Sequence, residues 1–101
     1  MDRVQTISVI IDCVRDYQQA LGKDSQTPIE PATPLLGRNG ILDSMGLVSV
    51  VVAIEQKLND DHGAEITLMD DRAMSQPRSP FRNAEAMADY ILMLHADRQK
   101  E

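Results

Sequence analysis

Aromatic side chains are scarce in this chain, with two Tyr, one Phe and no Trp among 101 residues. A core made from it has to be aliphatic, which suits a small helical bundle better than an aromatic-rich β-sandwich. Cysteine is nearly absent. Cys13 stands alone, so an internal disulfide is excluded and a reducing compartment is expected. Its position in a helical pattern predicts a small buried side chain rather than a nucleophile. Basic residues are few: 10 Lys and Arg against 16 Asp and Glu leave a net charge of −6. That argues against nucleic acid as a partner, because a duplex binder needs a basic face to displace counterions. No apolar run approaches the ~20 residues needed to span a bilayer. The N-terminus also lacks a basic region followed by an apolar block, so no secretion signal is expected and the cytoplasm is the default location.

What is present is 43% hydrophobic residues, enough for one small domain over residues 1–101, with its core at about 4–95 and a frayed tail at 97–101. The organising stretch is Gly40-Ile41-Leu42-Asp43-Ser44-Met45-Gly46-Leu47-Val48, which leads into a long apolar segment. The β-branched run Val50-Val51-Val52 admits a buried strand. Spacing and length favour a helix over 44–59: Leu47, Val51, Ile54 and Leu58 recur at helical intervals, and Val48 widens the stripe.

The rest of the chain reads the same way. Val4, Ile7, Ile11, Val14 and Leu21 predict a first helix over 3–21, with Ile10 and Tyr17 on its flanks, Asp2 or Thr6 as its cap and Gly22 as its stop. Residues 22–41 hold Pro28, Pro31 and Pro34 and read as a long first loop, pinned to the core by Ile29, Leu35, Leu36 and Ile41. Asn59 or Gly63 ends the second helix. Residues 64–69 read as an extended connection with Ile66 and Leu68 inward, and Asp70 as the cap of a short helix near 71–75. A second proline-bearing loop, at 76–80, contains the basic Arg78 and is followed by Arg82. A last helix over 83–96 is capped by Asn83 and directs Ala84, Met87, Ala88, Ile91, Leu92 and His95 inward. The expected fold is therefore all-α, a small four-helix bundle with a short third helix and a long first loop.

The start of the second helix has a chemical logic. Asp43 is a good N-cap, its carboxylate accepting a hydrogen bond from a first-turn N–H. Ser44 then occupies the first helical position, where unpaired N–H groups and the helix dipole favour an anion. A phosphate esterified to Ser44 would be welcome there, at a corner that a partner enzyme can reach. The plain alternative is an unmodified helix cap.

Asp43-Ser44-Met45 resembles the Asp-Ser-Leu/Met signature of acyl carrier proteins and of peptidyl and aminoacyl carriers. The longer run from Gly40 to Gly46 is most similar to the D-alanyl carrier type, which tends to read Gly-Leu-Leu-Asp-Ser-Phe-Gly. The segment Ala88-Asp89-Tyr90-Ile91 also looks like the last helix of carriers. The resemblance implies a standalone carrier with a 4'-phosphopantetheine arm on Ser44, its cargo held as a thioester. It implies a phosphopantetheinyl transferase, a loading ligase and a downstream acyltransferase as partners, recognition of Asp43 by the transferase, and a monomer. Met45, Ser49, Val52 and Gln56 would form the strip read by partners. Carriers of bacterial fatty acid synthesis display acids along this strip. Here Glu55 is the only acid before Asp60, so a dedicated partner such as an adenylating ligase is expected. The loop at 76–80 departs from the family pattern.

An intrinsic enzyme is not expected. The nucleophile elbow needs Gly-x-Ser-x-Gly, and Leu42 occupies the leading position. With only His62 and His95, a Ser-His-Asp triad has no good base near Ser44. The acids around 60–71 do not fit the calcium-loop template, because Gly63 is misplaced and no Glu lies at the required distance; no metal site is expected. The remaining alternatives are an aminoacyl carrier loaded by a dedicated ligase, and a helical interaction module that never carries an arm.

Overall fold

In the computed structural model, residues 2–22, 29–36, 40–63, 66–68 and 79–99 are described. They form three helices: α1 (Arg3–Ala20), α2 (Ser44–His62) and α3 (Ala84–Gln99). There is no strand among the described residues, so the β-branched run lies in a helix. Tertiary burial of one face outweighs the local preference of Val for extended backbone. The expected helix at 71–75 and its cap Asp70 lie outside the described residues, as do Arg78 and most of the loop at 76–80.

Each helix begins on a side-chain oxygen. The Gln5 N–H donates to Asp2 Oδ1 at 2.7 Å, the Gly46 N–H to Asp43 Oδ1 at 2.7 Å, and the Ala86 N–H to Asn83 Oδ1 at 2.7 Å. The ends obey the same local chemistry. Gly22 and Gly63 adopt positive φ, 74° and 61°, which only glycine takes without strain. Gly63 rather than Asn59 terminates α2, so the helix continues to His62 instead of stopping at 59.

Helix α1 packs on both α2 and α3, while among the described residues α2 and α3 have no Cα pair within 8 Å of each other. Non-helical segments supply the remaining core: Leu35, Ile66, Leu68 and Phe81 are buried in one cluster with the helices. The loop before α2 is stitched to the entrance of α3, with the Leu35 N–H donating to the Arg82 carbonyl at 2.9 Å and the Glu85 N–H to the Pro31 carbonyl at 3.1 Å. Ile66 and Leu68 point inward as expected. The Leu68 N–H donates to the carboxylate of Glu55, tying this connection to α2.

The inner face of α1 differs from the apolar stripe in the sequence. Val4 and Leu21 are exposed, and the buried positions are Thr6, Ile10, Cys13, Val14 and Gln18. Counting only apolar residues misplaced the face, because the helix turns two polar side chains and a thiol inward. Thr6 is tolerated there because its hydroxyl donates to the Asp2 carbonyl at 2.7 Å. On α2 the stripe Leu47, Val51, Ile54 and Leu58 is buried as read, but Val50 widens it and Val48 is exposed. On α3, Ala84, Met87, Ala88 and Ile91 are buried, Leu92 and His95 are half-buried, and the helix runs on beyond 96 to Gln99.

Candidate functional site

The segment from Leu42 to Leu47 presents a short exposed corner between two buried anchors. Leu42 and Leu47 are in the core, whereas Asp43, Ser44 and Met45 are exposed, Met45 at 80%. Burying an apolar residue on each side fixes the corner's position without covering it. The approach to Leu42 is held by backbone bonds: the Ile41 N–H donates to the Pro34 carbonyl at 3.1 Å and the Leu42 N–H to the Leu35 carbonyl at 2.8 Å. Gly40 is obligatory in this reversal. A Cβ there would lie 2.6 Å from the Leu35 carbonyl oxygen, a clash with backbone that no rotamer change relieves.

Asp43 faces the helix. Its Oδ1 accepts from the Gly46 N–H, so its carboxylate is committed to the cap and is not poised as a base toward Ser44. Ser44 stands at the first helical position with its side chain in solvent. The corner therefore offers an exposed hydroxyl, a fixed backbone and the positive end of a 19-residue helix. Along α2, Met45, Ser49, Val52 and Gln56 are all exposed, with Val48 beside them. Glu55, the one acid in that stretch, is half-buried and bonded to Leu68, so its carboxylate serves the fold.

The apolar pattern of α1 makes Tyr17 a flank residue and gives Gln18 no role. Tyr17 lies against the first turn of α2. A Cβ on Gly46 would be 3.0 Å from Tyr17 Cε1, 3.2 Å from its hydroxyl and 3.1 Å from Asp43 Oδ1. The available signal was Gly46 itself, since a glycine inside a helix is unfavourable unless another group approaches closely. Between the end of α1 and the lead-in to α2 lies a half-open cleft of about 380 Å³, lined by Tyr17, Gln18, Leu21, Ile41, Leu42 and Asp43.

The other candidates resolve into structural parts. Cys13 is buried, and burial pushes its thiol up from the ordinary value, with Lys57 opposing only in part. Arg82 donates to the Ser79 carbonyl at 2.8 Å, an intraloop bond. Among the described residues no group of three His, Cys, Asp or Glu side chains is placed to hold a metal ion; Glu65, Asp70 and Asp71 lie outside them. No described helix is long and apolar enough to cross a membrane. Compared with protein-family models, curated proteins and solved structures, the chain finds no match in any of the three.

Proposed function

We propose that this chain is a carrier domain of the acyl-carrier type, not itself an enzyme, with a 4'-phosphopantetheine arm on Ser44. The observation that carries the reading is the exposed Asp43-Ser44-Met45 corner, held between buried Leu42 and Leu47 at the open start of the longest helix. The residues fit the group: the hydroxyl is accessible, the neighbouring carboxylate is turned into the cap, and the helix terminus favours a phosphodiester. A phosphopantetheinyl transferase would join Ser44 Oγ to the pantetheine-bearing phosphorus of coenzyme A. The phosphoanhydride bond breaks, adenosine 3',5'-bisphosphate leaves, and the serine proton passes to the transferase. The arm's thiol would then hold an acyl or aminoacyl group as a thioester.

In this reading the complete fold is a small four-helix bundle whose short third helix falls in the segment between Leu68 and Ser79. The domain acts in the cytoplasm as a monomer, delivering cargo from a loading ligase to a downstream acyltransferase. Met45, Ser49, Val52 and Gln56 form the partner strip. Its uncharged side chains, together with the commitment of Glu55 to Leu68, favour a dedicated adenylating ligase loading an amino acid or unusual acyl group over partners that grip with rows of arginine.

The competing reading is an interaction module with the same fold and no arm. Incubation with a broad-specificity transferase and coenzyme A, followed by intact-mass measurement, separates the two. The carrier gains the mass of one phosphopantetheine, and Ser44→Ala gains none. No gain with several transferases, or an undiminished gain in Ser44→Ala, rejects Ser44 as the attachment point.

A further inference from the structure

The cleft beside Ser44 contains a polar group that the fold does not use. Gln18 is only 9% exposed and lines the cleft, and among the described residues none hydrogen-bonds its side chain. Its amide opens onto the cleft rather than into the core, and is available there to water or a ligand. Around it the cleft mixes polar and apolar surface: Ile41, half-buried, and Leu42, buried, supply an aliphatic part, and Tyr17 lines it as well. Among the described residues no Lys, Arg or His lines it, and the one lining carboxylate among them, on Asp43, already holds the Gly46 N–H. Such a site suits a molecule with an aliphatic part and an amide. Its volume of about 380 Å³ falls within the range of small-molecule sites.

Position supplies the rest. Asp43 lines the cleft and Ser44 is the next residue in the chain, so a group attached to Ser44 Oγ starts one residue from the lining. A tethered ligand needs little intrinsic affinity, because attachment holds it at millimolar effective concentration. Resting on the carrier reading of Ser44, we propose that this cleft is the docking site for the pantetheine part of the arm. The geminal dimethyl carbon lies against Ile41 and Leu42, and an amide of the arm pairs with Gln18, with Tyr17 alongside. The phosphodiester stays outside, at the helix terminus. Docking here shields the arm between deliveries, and Gln18 is the residue that selects it.

The test is NMR of the full chain, labelled at methyl groups and side-chain amides, before and after modification. Expected are shifts of the Gln18 side-chain amide and the Ile41 and Leu42 methyls, with the Ile66 and Leu68 methyls unmoved. In Gln18→Leu the arm still attaches to full mass, and the Ile41 and Leu42 shifts shrink severalfold. An attached arm that leaves these groups unmoved, or moves Ile66 and Leu68 instead, overturns the inference. If mass measurement shows Ser44 bare, the carrier reading falls separately. Titration of Ser44→Ala with free D-pantetheine then decides the cleft: saturable shifts at the same groups support it, and their absence overturns it.

Discussion

Helices α1 and α2 both begin on an aspartate whose Oδ1 accepts from the N–H three residues on, at the same 2.7 Å, yet the rest of each first turn is built differently. At α1 the cap is closed. Gln5 reaches back to the Asp2 N–H, Thr6 bonds the Asp2 carbonyl, and Arg3, first in the helix, pairs with Asp89 at 2.8 Å. At α2 the matching positions hold Gly46, Leu47 and Ser44. Glycine sends nothing back to the cap and leaves room for Tyr17, leucine anchors in the core, and serine is left in solvent. Identical capping chemistry thus serves a sealed end in one helix and an open, chemically usable end in the other. The difference lies in the neighbouring side chains, not in the aspartate.

The largest expected effect breaks the comparison at its chemical end. Ser44→Ala removes all phosphopantetheine uptake while stability changes by no more than about 0.5 kcal/mol, as expected of an exposed site. Arg3→Ser, which creates an Asp-Ser start at α1, takes up no arm. Modification there in intact-mass spectra would mean that the cap sequence alone suffices.

Next is the reversal that delivers the open end. Gly40→Val drives a side chain into the Leu35 carbonyl and is expected to cost about 3 kcal/mol in urea unfolding, with slowed modification of Ser44. Unchanged stability would show that the lead-in is not held as described.

Two smaller changes sharpen the comparison. Gly46→Gln gives α2 the reciprocal arm that α1 has, but it must displace the Tyr17 ring. It should destabilise the native chain and stabilise a Tyr17→Ala background, a coupling of about 1 kcal/mol in a double-mutant cycle. Additivity of the two changes would remove Tyr17 from the α2 entrance. Asp43→Ala should cost about 1 kcal/mol by thermal melt, the usual loss on removing an N-cap, without abolishing uptake at Ser44.

The smallest effect concerns Cys13, in the buried face of α1. Burial raises its thiol pKa, so the folded chain keeps a proton that the unfolded chain releases. The contribution is full below the unfolded value of about 8.5 and is lost as pH climbs above it. Denaturation curves should show stability falling from about pH 8.5 upward, and Cys13→Ala should flatten that slope.

Much of this was legible in advance. The caps Asp2, Asp43 and Asn83, the stops Gly22 and Gly63, the buried row Leu47, Val51, Ile54 and Leu58, and the inward Ile66 and Leu68 are visible because each depends on near neighbours or on simple periodicity. The inner face of α1 was not. Thr6 and Gln18 carry no apolar signal, yet they are buried on α1, a helix that packs on both other described helices. Glu55 looked like surface charge because its partner, the Leu68 N–H, lies 13 residues away across the fold.

The sequence by itself determined the helices, their ends and the placing of a serine first in α2, because backbone hydrogen bonding and capping act over a few residues. Only the tertiary structure decided that this serine stands exposed between two anchored leucines, that α1 turns Thr6 and Gln18 inward, and that a cleft opens beside Asp43. Those outcomes depend on distant segments competing for the same buried space, and that competition has no signature in local order.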